Sequence, residues 1–307
     1  GVVYLPICEE MRKRLDAFEV DGIEDGGMIE YLTRKKKEGR FPVYQTTERP
    51  DRAAQAILEG RVVLLTDNSP EALIFPATLN SLFQTADDYY RNERIVTFLR
   101  LIRYVAAFLA LALPGLYVAA ATFHPQLLPG NLIRSMAEAR SGVPFPTAAE
   151  VLLMELSFEL LREAGLRMPG PAGNTIGIVG GLIVGQAAVS ANLVSPITVT
   201  VAALTALGSF SIPNEELSEV FRLWKYGILL LGSCFGILGV MLGCFLLLML
   251  MAEQESYGIP WLYPYVGGNL NERADEKDSM FLAAARKRKR RPIFAKWGNR
   301  IRFRRKS

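Results

Sequence analysis

MPGPAGNTIGIVGGLIVGQAAVSANLVSPITVTVAALTALGSFSIPN, residues 168–214, runs for 47 positions without a charged side chain. A bilayer's hydrocarbon core takes about 20 apolar residues of helix, so this stretch has room for two short spans, 175–192 and 196–212. A second charge-free run, 227–252, covers 26 residues and offers another. A further candidate is 101–123, broken only by Arg103 near its start and by Pro114. Core helices of soluble proteins seldom run this far without a charged face. The sequence therefore predicts an α-helical integral membrane protein with about four transmembrane helices. To these it adds a small N-terminal α/β or α+β soluble domain and a basic C-terminal tail. The turn at 192–196 carries no charge to anchor it; a re-entrant pair there, or a fifth span over 148–164, is the alternative.

Outward from the apolar runs, three regions follow: a soluble cytoplasmic region 1–90, a transmembrane domain 91–265 and a basic tail 266–307. Within 1–90, residues 2–4, 62–66 and 72–75 are rich in β-formers and bounded by Gly, Pro, Asp or Asn, which predicts strands. Residues 9–18, 28–38 and 51–59 predict helices, with Asp51 as N-cap and Gly60 as a C-terminal stop. The chain starts at Gly1 without an initiator Met, and a fragment or processed chain is expected. Neither a phosphate loop nor a nucleophile–His pairing is visible in this region. Cys8, Cys234 and Cys244 have no metal-ligand spacing and read as apolar fillers. No enzyme activity, cofactor or metal is expected.

Charge near the ends of spans sets orientation. Arg91, Arg94, Arg100 and Arg103 precede the first span. The stretch after Asp278 holds twelve basic and no acidic residues, so the net charge of +4 leaves −8 for residues 1–285. Both termini are thus expected in the cytoplasm, which requires an even number of spans. A nucleic-acid partner is not needed to explain the tail, because orientation and attraction to anionic membrane lipid suffice.

Helical spacing marks faces. Gly177, Gly181 and Gly185 recur every four residues, and Gly232, Gly236, Gly239 and Gly243 follow at steps of 4, 3 and 4. Small residues at such spacing let helix backbones approach closely in lipid, within one subunit or between subunits. Gln186 and Ser190 lie one turn apart beside Leu182 and Val189, while Thr198 and Thr205 share a face of the next span. These are the pore-lining candidates, the 175–192 segment being preferred over 196–212. The segment 147–165 predicts an amphipathic helix, opened by a Thr147/Glu150 capping box. On its far side Glu155, Glu159 and Glu163 form either a solvated face or an acidic ring at a channel mouth. No charged side chain sits mid-span, which suits a passive pathway better than a proton-coupled pump.

Several ordered motifs resemble the A-subunit (GerA) family of bacterial spore-germination receptors. They include Thr47-Glu48-Arg49-Pro50-Asp51, Asp88-Tyr89-Tyr90, Leu113-Pro114-Gly115-Leu116-Tyr117, Phe123-His124-Pro125 and Gly142-Val143-Pro144-Phe145-Pro146. Phe158-Glu159-Leu160-Leu161-Arg162-Glu163, Ile178-Val179-Gly180-Gly181 and Ser195-Pro196 continue the series across about 40–265. The sequence departs from the family pattern at Gly181, where Ala is usual, and at Ser190-Ala191-Asn192, where a more acidic or glycine-bearing stretch is usual.

The resemblance implies a subunit of a germinant receptor in the inner membrane of the spore. It also implies a homo-oligomeric ring, a pentamer, that opens as a cation channel when germinant binds. The implied partners are a transporter-like B subunit, which senses the nutrient, and a lipoprotein C subunit. The alternatives are an accessory paralog of the family that amplifies ion release, or a secondary transporter with a midplane site at 192–196.

Overall fold

The computed structural model describes residues 5–35, 38–67, 69–168, 171–266, 278–284, 288 and 291–295, without the side chains of 171–179 and 182. The strand expected at 2–4 and most of the basic tail lie outside the described residues. The chain divides into two compact units. Unit 1 comprises Gly1–Tyr104, Pro213–Val220 and Leu248–Ser307; unit 2 comprises Val105–Ile212 and Phe221–Leu247.

Unit 1 is built on a three-stranded antiparallel sheet in the order β1-β3-β2, from β1 (Gln45–Thr47), β2 (Val62–Leu65) and β3 (Ala72–Phe75). The central strand is buried along its whole length and sets the register, pairing Ile74 with Gln45 on one side and Val63 on the other. Helices α1 (Leu5–Leu15), α2 (Gly26–Thr33), α3 (Pro50–Glu59) and the single turn α4 (Leu79–Leu82) accompany it. Pro50, pre-set for the first helical position, opens α3. Arg49, not Asp51, occupies the N-cap; Asp51 lies in the first turn, held by Arg49 at 2.9 Å. Gly60 ends the helix at φ 95°, and a Cβ there would strike the Phe294 carbonyl and the Ala295 backbone. A late segment returns to this core as a hairpin, β4 (Glu255–Ser256) and β5 (Ile259–Pro260). Tyr257, Ile259 and Tyr263 pack with Ile7, Val43, Leu73 and Phe75. The indole of fully buried Trp261 donates to the Pro42 carbonyl at 2.7 Å.

Unit 2 is helical. It takes in most of α5 (Glu93–Thr122), then α6 (Gly130–Arg140), α7 (Thr147–Leu166), α8 (Pro171–Ser190) and α9 (Pro196–Phe210). Most of α10 (Glu215–Phe235) and α11 (Ile237–Glu253) follow. Helix α7 is the hub, packing on α8 and α9. Gly208 and Gly115 set two close approaches: a Cβ on the first would lie 2.6 Å from the Ala106 carbonyl, and on the second 3.1 Å from the Ile228 carbonyl.

The expectation of about four transmembrane helices is not met. The chain is mostly helical, with eleven helices among the described residues. Of these, α5 is the one candidate long and apolar enough to cross a membrane. At 1.5 Å per residue its 30 residues reach about 45 Å. The 196–212 segment yields only α9, whose 15 residues reach about 22 Å, short of the ~30 Å hydrocarbon core. The 175–192 segment falls largely in α8, where the side chains of 171–179 and 182 lie outside the described residues. The 227–252 run is two helices. The backbone turns at Gly236, φ 62°, and α11 folds back along α10. A Cβ on Gly239 would collide with the Leu231 carbonyl, and one on Gly243 would lie 2.9 Å from the Ile228 side chain. A charge-free run reports only local polarity, whereas a left-handed glycine can turn the chain inside it. Two cytoplasmic ends, expected from the basic residues, require an even number of spans, and the four helices expected to supply it are not found.

Candidate functional site

The polar chemistry of unit 2 gathers along α7. Near its start, the Thr147/Glu150 capping box does not form; Pro146 is the N-cap and makes no side-chain bond. Glu150 is instead fully buried, accepting from Arg140 Nε at 3.1 Å, the Ser195 amide at 2.8 Å and the Thr198 hydroxyl at 3.0 Å. Ser195 in turn caps α9, accepting the Thr198 amide at 3.3 Å, and Pro196 takes the first helical position. One carboxylate thus pins the α8–α9 turn, where Asn192 adopts φ 53°.

One turn further on, Glu155 is ion-paired with Lys225 of α10 at 2.6 Å, both side chains nearly inaccessible. Glu159 pairs with Arg222. Arg162 donates to the Ser209 hydroxyl at 2.6 Å and lies 4.3 Å over the Phe210 ring. Burial pushes the Glu155 carboxyl above its ordinary range, opposed by the Lys225 ammonium. Burial, and then the neighbouring Arg222, push the Arg162 guanidinium down.

These groups border a cavity of about 830 Å³, within the ~300–1,000 Å³ usual for ligand pockets. Its walls come from α7, α8 and α9, with Arg222 and Lys225 from α10. Leu161, Leu166, Val199, Leu207 and Phe210 make much of it apolar. The cavity collects several of the residues singled out from sequence: Glu155, Glu159, Gly181, Gly185, Gln186, Val189 and Ser190. Gln186 and Ser190 are exposed on α8. Gly181 and Gly185 leave room for Phe158 and Val199, which a Cβ would meet at 3.2 and 3.1 Å.

Other candidates lie elsewhere. Thr198 is committed to Glu150, and Thr205 donates to the Val201 carbonyl at 2.9 Å; both are buried. Glu163 is exposed and paired with Arg167. Gly177 and the Leu182 side chain lie outside the described residues. Gly232, Gly236, Gly239 and Gly243 belong to the α10–α11 hairpin, with Val240 2.9 Å from a Cβ on Gly232. Sequence reasoning missed Lys225 and Arg222 as partners of the α7 carboxylates. The signal was present: two cations three apart on one helix face, matching two carboxylates four apart on another. Among the described residues no group of three or more His, Cys, Asp or Glu could hold a metal ion.

The profile of the GerA family, described as Bacillus/Clostridium GerA spore germination protein, matches residues 1–294. The chain is 40% identical over 284 residues to Uncharacterized membrane protein YfkQ of Bacillus subtilis (strain 168), covering 92% of this chain and 55% of that one. It is 40% identical over 258 residues to Spore germination protein A1 of the same organism, covering 84% and 54%. With Spore germination protein GerQA of Bacillus cereus it shares 36% identity over 303 residues, covering 99% and 60%. The chain thus spans little more than half the length of these relatives. No solved structure matches it.

Proposed function

Because the chain belongs to the GerA family of spore germination proteins, we propose that it acts at the spore's inner membrane as part of the A subunit of a germinant receptor. In this reading copies of the chain form a ring, a pentamer, that passes cations when germinant binds. The germinant is sensed by a transporter-like B subunit, and a lipoprotein C subunit completes the receptor. The name of the relative YfkQ as a membrane protein supports the location.

The observation that carries this reading is apolar surface left uncovered on unit 2. Leu238, Met241, Leu242 and Phe245 stand at i, i+3, i+4 and i+7 on α11 and are 47–73% exposed. An exposed apolar stripe at helical spacing is a contact face for lipid or for another chain. Helix α8 contributes the conducting surface, along which the sequence alternates the apolar Leu182 and Val189 with the polar Gln186 and Ser190. Closure by dewetting relies on apolar collars.

Potassium flux from vesicles holding the assembled receptor tests this. Val189→Ala or Leu182→Ala widens and wets the collar, so leak without germinant is expected, whereas Thr205→Ala stays closed. Leak from Thr205→Ala alone would move the pore to α9, and the absence of any conductance by the intact receptor would end the channel reading.

A further inference from the structure

Among its described residues, unit 1 contains a concentration of buried guanidinium groups that outnumber the carboxylates facing them. Arg52, Arg61 and Arg100 are 5%, 5% and 1% exposed, and the Arg288 side chain is 12% exposed. Arg103 of α5 completes the set. The carboxylates facing them are Glu59, Asp88 and Asp278.

The network reads as a chain. Asp88 accepts from Arg103 at 2.9 Å and from Arg100 at 3.1 Å. Asp278 accepts from Arg100 at 3.0 Å and from Arg288 at 3.2 Å. Three guanidiniums therefore share two carboxylates. Arg61 lies 3.7 Å from Glu59, while among the described residues Arg52 donates to the neutral Gln45 amide oxygen, at 3.2 Å, and to no carboxylate. Among the described residues of this cluster, five cations stand against three anions, an excess of two positive charges. Guanidinium cannot relieve the excess by losing a proton.

The donors are also incomplete. Arg52 Nε, Arg61 Nε, Arg100 Nη2 and Arg288 Nε are buried without a hydrogen-bond partner. Buried polar groups left unmatched are rare in folded proteins and ask for an explanation. Tyr89 is the common neighbour. Arg100 and Arg288 lie 5.7 and 5.2 Å from its ring centre, and its hydroxyl donates to Asp278 at 3.1 Å. Arg52, Glu59 and Asp278 also act on the Tyr89 phenol, which burial pushes above its ordinary range. Tyr89 and Asp278 are only half-buried, so the cluster opens to the surface on one side.

We propose that this cluster in unit 1 binds a phosphate-type dianion beside Tyr89. Two negative charges match the excess, and tetrahedral oxygens can accept from several guanidiniums at once, the recognition at which arginine excels. Arg100 and Arg288 hold the anion next to Tyr89; Arg52 and Arg61 supply donors from α3 and its C-terminal end.

The test is equilibrium binding to the full chain of radiolabelled inorganic phosphate and, separately, of a short-chain phosphatidate below its micelle concentration. Ionic strength is held constant with chloride. Saturable one-site binding of at least one probe is expected. Arg288→Gln is the first variant because Arg288 is the least buried of the orphaned arginines. It should weaken binding about tenfold, as the loss of one charge-assisted hydrogen bond implies. Arg288→Lys, which keeps the charge but not the Nε donor, should fall between. Binding of free phosphate identifies a soluble ligand, and binding of phosphatidate alone a lipid headgroup; both support the site. Circular dichroism confirms that each variant is folded. No saturable binding of either probe, or wild-type affinity in folded Arg288→Gln, would overturn the proposal.

Discussion

The Glu150 carboxylate accepts the Thr198 hydroxyl at 3.0 Å, so that the start of α7 is tied to the start of α9 by two residues 48 positions apart. Because the same carboxylate also takes the Ser195 amide and Arg140, its removal takes the acceptor away from three donors, two of them buried. Glu150→Ala is expected to cost about 3–5 kcal/mol of stability. Glu150→Gln, which retains one acceptor oxygen, should cost less. Unfolding midpoints of the two variants measure the difference, and an alanine variant as stable as wild type would remove Glu150 from the role assigned to it.

The Glu155–Lys225 pair makes a different prediction, because it is closed on itself. Lys225→Met strands a buried carboxylate and should lose about 3–5 kcal/mol, whereas the double change Glu155→Met/Lys225→Met should recover most of that. A double-mutant cycle reads the coupling directly. Strict additivity would show that the two groups do not pair.

Glu216, in the Pro213–Val220 segment of unit 1, introduces a pH dependence. Burial pushes its carboxyl up to about 7 from the ordinary 4.5, partly offset by a hydrogen bond from Tyr44. The folded state therefore holds this proton more tightly than the unfolded chain. Its penalty is absent below about pH 4.5, grows as pH rises through that window and is complete above about 7. The contribution is on the order of 2–3 kcal/mol. Subtracting the stability profile of Glu216→Gln from that of wild type should isolate a fall between pH 4.5 and 7. Parallel profiles would show that Glu216 ionises normally.

Two glycines should respond with opposite signs to the same substitution. Gly208→Ala places a methyl 2.6 Å from the Ala106 carbonyl and forces α9 away from α5, at a cost of about 1–3 kcal/mol. Gly227→Ala meets nothing within 4 Å and should gain about 0.5–1 kcal/mol from the better helix former. Thermal unfolding of the two variants compares them directly, and equal shifts would mean that the α5–α9 contact is looser than described.

What the sequence determined by itself was local. The β-formers of 62–66 and 72–75 lie where β2 and β3 form, and Gly60 stops α3 as its left-handed backbone dictates. The ordered motifs identified the GerA family, since they need no knowledge of distant contacts. Tertiary structure decided the rest. Composition could not distinguish one span over 227–252 from a hairpin, because Gly236 is as apolar in a straight helix as it is at φ 62°. Nor could helical spacing show that Glu150 would leave its own N-terminus for Ser195 and Thr198, or that Glu155 and Glu159 would find Lys225 and Arg222. Burial removes a carboxylate from water, and its partner is then whichever donor the packed helices bring within reach. The sequence lists the charges; only the packing of α7 against α8, α9 and α10 determines which of them meet.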